Sequence, residues 1–427
     1  MSKLNDGRVP ASSSIVQLPG EPKYYVIPND RFRYVYFVMM FLGIGTLWPY
    51  NMIISVTDYF AAKYPDINVS NIVPMILQYP SIFVLFFMIR YGAKASFTTR
   101  IASCFPVMAV IVALIPSIAS SEASWSFHVL AAVIFLLGVC VSVIQSTSLS
   151  FASKFPPIYM QSVMTGQGVS GMCVCFVLLL IKYILSKREG GSGEYQLFMY
   201  LSAFVSLIAM VFYIGSLYSP YAKHILDLGV LSTAELSTPS SESGAPESDS
   251  VLGLHKRVNH KTVLRKMWTN GVLVALIFIG TFLMFPGMTF ALQGFTIEKS
   301  WFSLLLITTF NIFDTAGRFA AGFITVRSAT VLWVLTASRL ALYPFFIIHK
   351  AAAFHGVASD VLAFLMVALL ALSNGFLVSL VMMRTSSYVE KHEEEASSAA
   401  MAFFLVAGIL LGLNLAVVLH IAIPAYL

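Results

Sequence analysis

The sequence predicts an all-α membrane protein of two helical bundles, about six spans and then about five. Three observations carry that prediction. Of 427 residues, 58% are hydrophobic and only 11% charged, against about 25% charged in an average soluble domain. About eleven apolar runs approach the roughly 20 residues a spanning helix needs, and no lumen-forming β pattern accompanies them. A long hydrophilic segment, 219–267, divides those runs into six and five.

A polar tail, 1–33, opens the chain and lacks the apolar core of a cleavable signal peptide, so it reads as a tail of low order. A first bundle occupies 34–218, with spans near 34–55, 71–90, 101–121, 128–152, 161–185 and 197–218. The 219–267 linker has a centre rich in Ser, Pro, Gly and acids, which predicts disorder. A second bundle, 268–427, holds spans near 268–292, 302–323, 328–349, 360–386 and 398–424. Pro49, Pro80 and Pro286 interrupt three of these runs and blur their ends.

Charge placement sets the expected orientation. Of the 26 Lys and Arg, only Lys63, Lys182, Lys187, Arg188, Lys299 and Lys350 fall in outer segments, and only Arg318 and Arg339 inside spans. The rest lie in segments that are inner when the amino terminus is cytoplasmic, which puts the carboxyl terminus outside. The same scatter argues against a nucleic-acid partner. A sequon, Asn68-Val69-Ser70, falls in the first outer loop and makes Asn68 a candidate glycosylation site close to the next span. Cys104, Cys140, Cys173 and Cys175 all lie in spans at spacings that indicate neither a disulfide nor a metal site. No cofactor is expected. The chain lacks a phosphate loop, so ATP is not expected to drive it directly.

Polar groups inside spans carry the functional reading. In the eighth span, Asn311, Asp314 and Arg318 stand three and then four residues apart, on one helix face. An ionised group at a helix centre costs about 2.5–3.5 kcal/mol even on the lenient insertion scale, so such a stripe faces protein or a wet cavity. A solute pathway explains it; a structural i,i+4 ion pair explains Asp314 and Arg318 equally well. The first span carries Thr46-Leu47-Trp48-Pro49-Tyr50-Asn51, where proline exposes carbonyls beside two aromatic rings and an amide. Gln145 in the fourth span offers an amide suited to a heterocyclic base edge or to an interhelical hydrogen bond. Gly166-Gln167-Gly168 in the fifth span reads as close packing, as does the Gly408–Gly412 pair in the last. Phe285-Pro286-Gly287 reads as a hinge or gate, Ser373-Asn374-Gly375 as a polar break, and Arg339 as a buried cation with a partner on another helix.

Taken in order, these segments resemble the equilibrative nucleoside transporter family. Gly45 to Asn51 is similar to that family's first-span signature, and Gln145 with Gly166-Gln167-Gly168 to its fourth and fifth spans. Phe285-Pro286, Asn311-x-x-Asp314-x-x-x-Arg318, Ser373-Asn374-Gly375-Phe376 and Met401 to Leu405 follow in sequence over nearly the whole chain. The resemblance implies a major-facilitator-like fold that moves nucleosides or nucleobases through a membrane by alternating access. It implies that Arg318 and Asp314, supported by Asn311, meet ribose hydroxyls and that Gln145 bonds the base. Leu47, Tyr50 and Asn51 would line the pocket. Arg100 and Glu395 would pair as an inner gate, with Ile54, Phe285 and Pro286 at an outer one. Many members carry Trp where this chain has Tyr50 and an aliphatic residue where it has Trp48, which leaves open whether a nucleoside or a free base is preferred.

Three questions stay open from sequence. Asp314 is a candidate proton carrier that would make the protein a symporter, an idea its neighbour Arg318 opposes. A sugar facilitator of the same architecture is a competing reading, although Arg90-Tyr91-Gly92-Ala93-Lys94 lacks the acidic-then-basic pattern common in such proteins. A receptor acting through the 219–267 linker is a third. The expected setting is the plasma membrane, as a multi-pass protein.

Overall fold

The computed structural model describes residues 14–17, 24–27, 29–67, 69–123, 125–185, 192–235, 258–285, 296–324, 326, 328–344 and 357–422. The first bundle comprises α1 (Tyr34–Ser55), the short α2 (Thr57–Lys63), α3 (Val69–Tyr91), α4 (Phe97–Ser120), α5 (Ser126–Ser153), α6 (Pro157–Leu185) and α7 (Ser192–Leu217). Helix α8 (Pro220–Glu235) follows. The second bundle comprises α9 (His260–Met284), α10 (Lys299–Ala320), α11 (Ala329–Ser338), α12 (Val357–Thr385) and α13 (Glu394–Ala422).

Among the described residues, nine helices are long and apolar enough to cross a membrane. The other two expected spans correspond to α10 and α11. Helix α10 has the length, at 22 residues, but carries the charged stripe that lowers its hydropathy. Helix α11 gives way to a 3-10 turn at Arg339–Ala341, and 345–356 lie outside the described residues. Helix α1 runs through Pro49 and α3 through both Pro74 and Pro80, so these prolines do not end their helices.

Two departures from expectation lie outside the spans. The amino-terminal tail contains two strands, Ser14–Gln17 and Tyr24–Ile27, paired antiparallel with Ser14 opposite Ile27. The linker begins as helix α8, while its acidic centre at 236–257 falls outside the described residues. Asp30 joins tail to bundle. Its carboxylate accepts from the backbone N–H groups of Val35 and Tyr36 at 3.0 and 3.2 Å, satisfying first-turn donors of α1, and from the Tyr159 hydroxyl at 3.0 Å.

The burial pattern is inverted relative to a soluble bundle. Ser142, Ser146, Thr147, Ser148 and Ser150 of α5 are buried, whereas Phe135 and Leu136 on the same helix are exposed, as are Phe83, Phe86 and Phe87 on α3. Lipid accepts apolar side chains but offers no hydrogen bonds, so polar groups turn inward and bond across helices. Ser142 shows this, with its hydroxyl 2.6 Å from the Gly138 carbonyl and 2.7 Å from the Ser81 hydroxyl on α3.

Within the first bundle α1 packs on α6 and α7, and α4 on α5 and α7; within the second α10 packs on α12 and α9 on α13. The bundles meet where α6 lies against α10 and α12, and where α13 lies against α3 and α5. The polar stripe of α10 therefore faces α6 and α12, not lipid.

Candidate functional site

The site is built where α10 is pressed closest to α12. A Cβ placed on Gly375 would lie 2.0 Å from the Asp314 carbonyl oxygen, and one on Gly317 would lie 2.2 Å from that of Leu372. Only glycine permits this approach. It brings Asn374, the neighbour of Gly375, within reach of Asp314. We expect Gly375→Val to force the two helices apart, lowering stability by about 1–3 kcal/mol or more, read as a fall in the Tm of purified protein and in its membrane yield.

Asp314 and Arg318 form a buried pair, with Arg318 Nε donating to Asp314 Oδ2 at 2.7 Å. The second carboxylate oxygen accepts from Asn374 Nδ2 at 2.8 Å, and Thr281 on α9 donates to Asn374 Oδ1 at 2.7 Å. Arg339 completes the network, its Nη2 2.5 Å from Thr281 Oγ1, Nε 3.1 Å from Ser373 Oγ and Nη1 2.9 Å from the Ile277 carbonyl. Asp314, Arg318, Asn374, Thr281 and Arg339 are all buried. One carboxylate thus stands between two guanidinium groups, one bonded to it directly and one through an amide and a hydroxyl. Arg339 has its partners on other helices, as expected, but they are hydroxyls and carbonyls; among the described residues no carboxylate bonds to it.

The network also reaches the first bundle. Arg318 Nη1 donates to the Met164 carbonyl of α6 at 3.2 Å, and its Nη2 makes no hydrogen bond among the described residues. Asn311 donates to the Ile307 carbonyl at 2.9 Å and to Cys175 Sγ of α6 at 3.4 Å. Asn51 donates to Ser170 Oγ, also on α6, at 3.1 Å. Asn51 and Asn311 therefore address the same stretch of α6 from opposite bundles.

Gln145 is buried, and among the described residues its amide makes no hydrogen bond. Leu47, Tyr50 and Ile54 are half-buried and pack on the core of the first bundle, at spacings that place them on one face of α1. Among the described residues, Trp48 Nε1 on α1 and Gln167 Nε2 on α6 are buried without a partner. A buried amide donor left unpaired costs about 1–3 kcal/mol, so the unpaired Gln167 Nε2 is unusual for a residue that serves packing alone.

One end of the interface between bundles is closed by ion pairs. Arg100 on α4 meets Glu395 on α13, Nη2 to Oε1, at 2.5 Å, and its guanidinium lies over the Phe97 ring at 4.8 Å. The preceding residues, Glu394 and Glu393, each take a different cation. Glu394 meets Lys154 of the first bundle at 3.5 Å, and Glu393 meets Lys266 of the second at 2.6 Å. Ser150 Oγ adds a bond to the Glu395 carbonyl at 3.2 Å. Burial pushes the Glu393 carboxyl up, but the Lys266 ammonium and the Glu390 backbone N–H outweigh it and hold the group below the ordinary carboxylate range. The family resemblance implies the Arg100–Glu395 pair alone; the Glu-Glu-Glu run at 393–395 is the sequence signal for the rest.

The other end is less fully described. Phe285 stacks on Phe310 with ring centroids 4.1 Å apart, but both belong to the second bundle, so this stack does not bridge the interface. Pro286, one of the three residues of the expected outer gate, and Asn68, the candidate glycosylation site, lie outside the described residues. Sequence reasoning also passed over Thr281 and Gln161. A second polar face on α6, Gln161, Thr165 and Gly168 at i, i+4 and i+7, was the signal for Gln161.

Two bundles that meet on a buried polar network, latched at one end by ion pairs across the interface, define a membrane carrier. The sequence model of the nucleoside transporter family matches residues 130–421. The chain belongs to the nucleoside transporter family. It is 25% identical over 420 residues to equilibrative nucleotide transporter 1 of Arabidopsis thaliana, spanning 96% of this chain and 91% of that protein. It is 24% identical over 458 residues to equilibrative nucleoside transporter 1 of Rattus norvegicus, spanning 92% and 98%. In fold it is similar to the human organic anion transporter MFSD10, with TM-score 0.59 at 13% identity over 91% of this chain and 93% of that one. The Escherichia coli fucose:proton symporter superposes with TM-score 0.54 at 13% identity, over 92% of each chain. The major-facilitator-like architecture expected from the sequence is therefore the observed one.

Proposed function

We propose that the chain carries nucleosides across a membrane by facilitated diffusion, binding them between the two bundles at Asp314 and Arg318. The observation that carries this reading is the buried Asp314–Arg318–Asn374 network facing α6, in a chain of the nucleoside transporter family. Each Asp314 oxygen has one protein donor and so keeps a lone pair for a ribose hydroxyl. Arg318 offers its Nη2, and Asn311 supports the face one turn away. Gln145, buried and without a hydrogen-bond partner among the described residues, complements a base edge, and Tyr50 supplies an aromatic wall beside Leu47 and Asn51. The bundles rock about this point, so that the site faces one side of the membrane at a time.

The ion-paired end is assigned to the cytoplasm, which agrees with a cytoplasmic amino terminus and an extracellular carboxyl terminus, and the plasma membrane is the proposed location. Both Asp314 oxygens are already engaged, by Arg318 Nε and Asn374 Nδ2, which favours a carrier that moves no proton. A competition panel tests substrate and coupling together. In a transport-null cell, uptake of labelled adenosine should saturate and yield to unlabelled nucleosides more readily than to free bases, AMP or glucose. It should be unchanged by a protonophore and between pH 5.5 and 7.5. Absence of saturable uptake for every nucleoside and base would sink the assignment, and protonophore-sensitive uptake would replace it with a proton symporter.

A further inference from the structure

The end of α10 is held by α6 through side chain and backbone of the same residue. Arg318 Nη1 donates to the Met164 carbonyl, while Gln161 Nε2 donates back to the carbonyls of Arg318 and Phe319 at 3.1 and 3.2 Å. These carbonyls belong to the last turn of α10, where a helix has exhausted its own donors. Gln161 is 1% exposed. Its Oε1 accepts from the Tyr36 hydroxyl at 3.0 Å, and its Nε2 also donates to Thr165 Oγ1 at 2.9 Å. Carbonyl acceptors on one side of the amide permit only one orientation of its oxygen and nitrogen. The first bundle therefore fixes the amide at Tyr36 and Thr165 and aims its remaining N–H across the interface, shared between the two carbonyls.

We propose that Gln161 is a positioning residue that couples Arg318 to closure of the Arg100–Glu395 end. This rests on the reading of Arg318 as a substrate contact. A substrate held by Arg318 Nη2 draws on the side chain, but it does not compete with Gln161 for the backbone carbonyls. The Gln161 bonds are thus the tie between α6 and α10 that outlasts substrate binding, and they break when the bundles part at this end. Removing the donors shifts the carrier toward the conformation open there, because a contact made in one state alone sets the population of that state.

The test uses a buried reporter. Ser398, 6% exposed, lines a small cavity of about 10 Å3 between the bundles, with Leu149 and Met160 on one side and Met382 on the other. In a full-length chain with its four native cysteines replaced by alanine, Ser398→Cys is labelled with N-ethylmaleimide in membranes open at the cytoplasmic face. Gln161→Met keeps the volume and removes the donors; Gln161→Glu keeps the shape and removes them by a second route. Labelling should accelerate roughly fivefold in either variant, the scale set by losing interbundle hydrogen bonds. The adenosine KM should rise from the extracellular face and fall from the cytoplasmic face, as expected when the competent fraction on each side changes. A purely structural role would lower Vmax with both KM values unchanged. The variant that retains the parent's Tm is the one read. Labelling at the parental rate with unchanged KM values would overturn the coupling role. Loss of saturable uptake in the parent would instead overturn the transport reading, and accelerated labelling would still support Gln161 as the tie that closes this end.

Discussion

Arg318→Ala should abolish nucleoside uptake, by at least a hundredfold, while the protein still reaches the membrane. Removing one partner of a buried ion pair costs about 3–5 kcal/mol, because the remaining charge is left uncompensated. Here that charge is Asp314, which would keep Asn374 as its one donor among the described residues. A loss of transport could then reflect either a missing substrate contact or a destabilised helix, and a second pair of substitutions separates them. Asp314→Asn combined with Arg318→Gln neutralises both groups and should recover the Tm. If Arg318 contacts substrate, uptake stays absent in that double variant. If uptake returns with stability, the pair is structural. Arg318→Lys is expected to rescue little, since a single ammonium cannot replace a planar fork that reaches Asp314 and Met164 together.

Reversing the charge of either Arg100 or Glu395 should reduce uptake more than tenfold, and exchanging them should restore most of it. Arg100 is 7% exposed and Glu395 18%, so the pair is partly shielded from water and a like-charge juxtaposition there is costly. Arg100→Glu would set a fourth carboxylate against Glu393, Glu394 and Glu395; Glu395→Arg would oppose Arg100. The double exchange rebuilds attraction across the same interface, and the coupling energy from the resulting double-mutant cycle measures the latch directly. Recovery is expected to be incomplete, because Arg100 also lies over Phe97 and a carboxylate does not. An additive cycle, with the exchange no better than the single variants, would show that the two residues do not act across the interface during transport.

Both predictions concern residues that the sequence placed in function, and the structure distinguishes how each became legible. Asn311, Asp314 and Arg318 stand out because ionised groups within a span are costly, so their presence on one helix face required a protein environment. Arg100 and Glu395 were readable only through family resemblance, for they are separated by almost the full chain and sit among other charges at span ends. Arg339 was legible as a buried cation but its solution was not: the expected partner on another helix proved to be Thr281 and Ser373 together with backbone carbonyls. Gln161 went unremarked because a glutamine at a span end carries no penalty that hydropathy registers. The ninth span shows the same limit in another form, since its apolar run gave no warning of the 3-10 turn at Arg339–Ala341.

By itself, the sequence determined that this chain lives in a bilayer as helices, with a polar face on α10. Those properties follow from the cost of transferring groups between water and lipid, which each segment incurs independently of its neighbours. Tertiary structure alone decided which polar groups meet. Asn374 reaches Asp314 because Gly317 and Gly375 let two backbones approach where any side chain would hold them apart. Gln161 reaches the end of α10 because α6 is rotated to present that face, with Tyr36 and Thr165 fixing the amide. Helix rotation and spacing are set by packing between neighbours, and hydropathy, which concerns one segment and its solvent, contains no term for them.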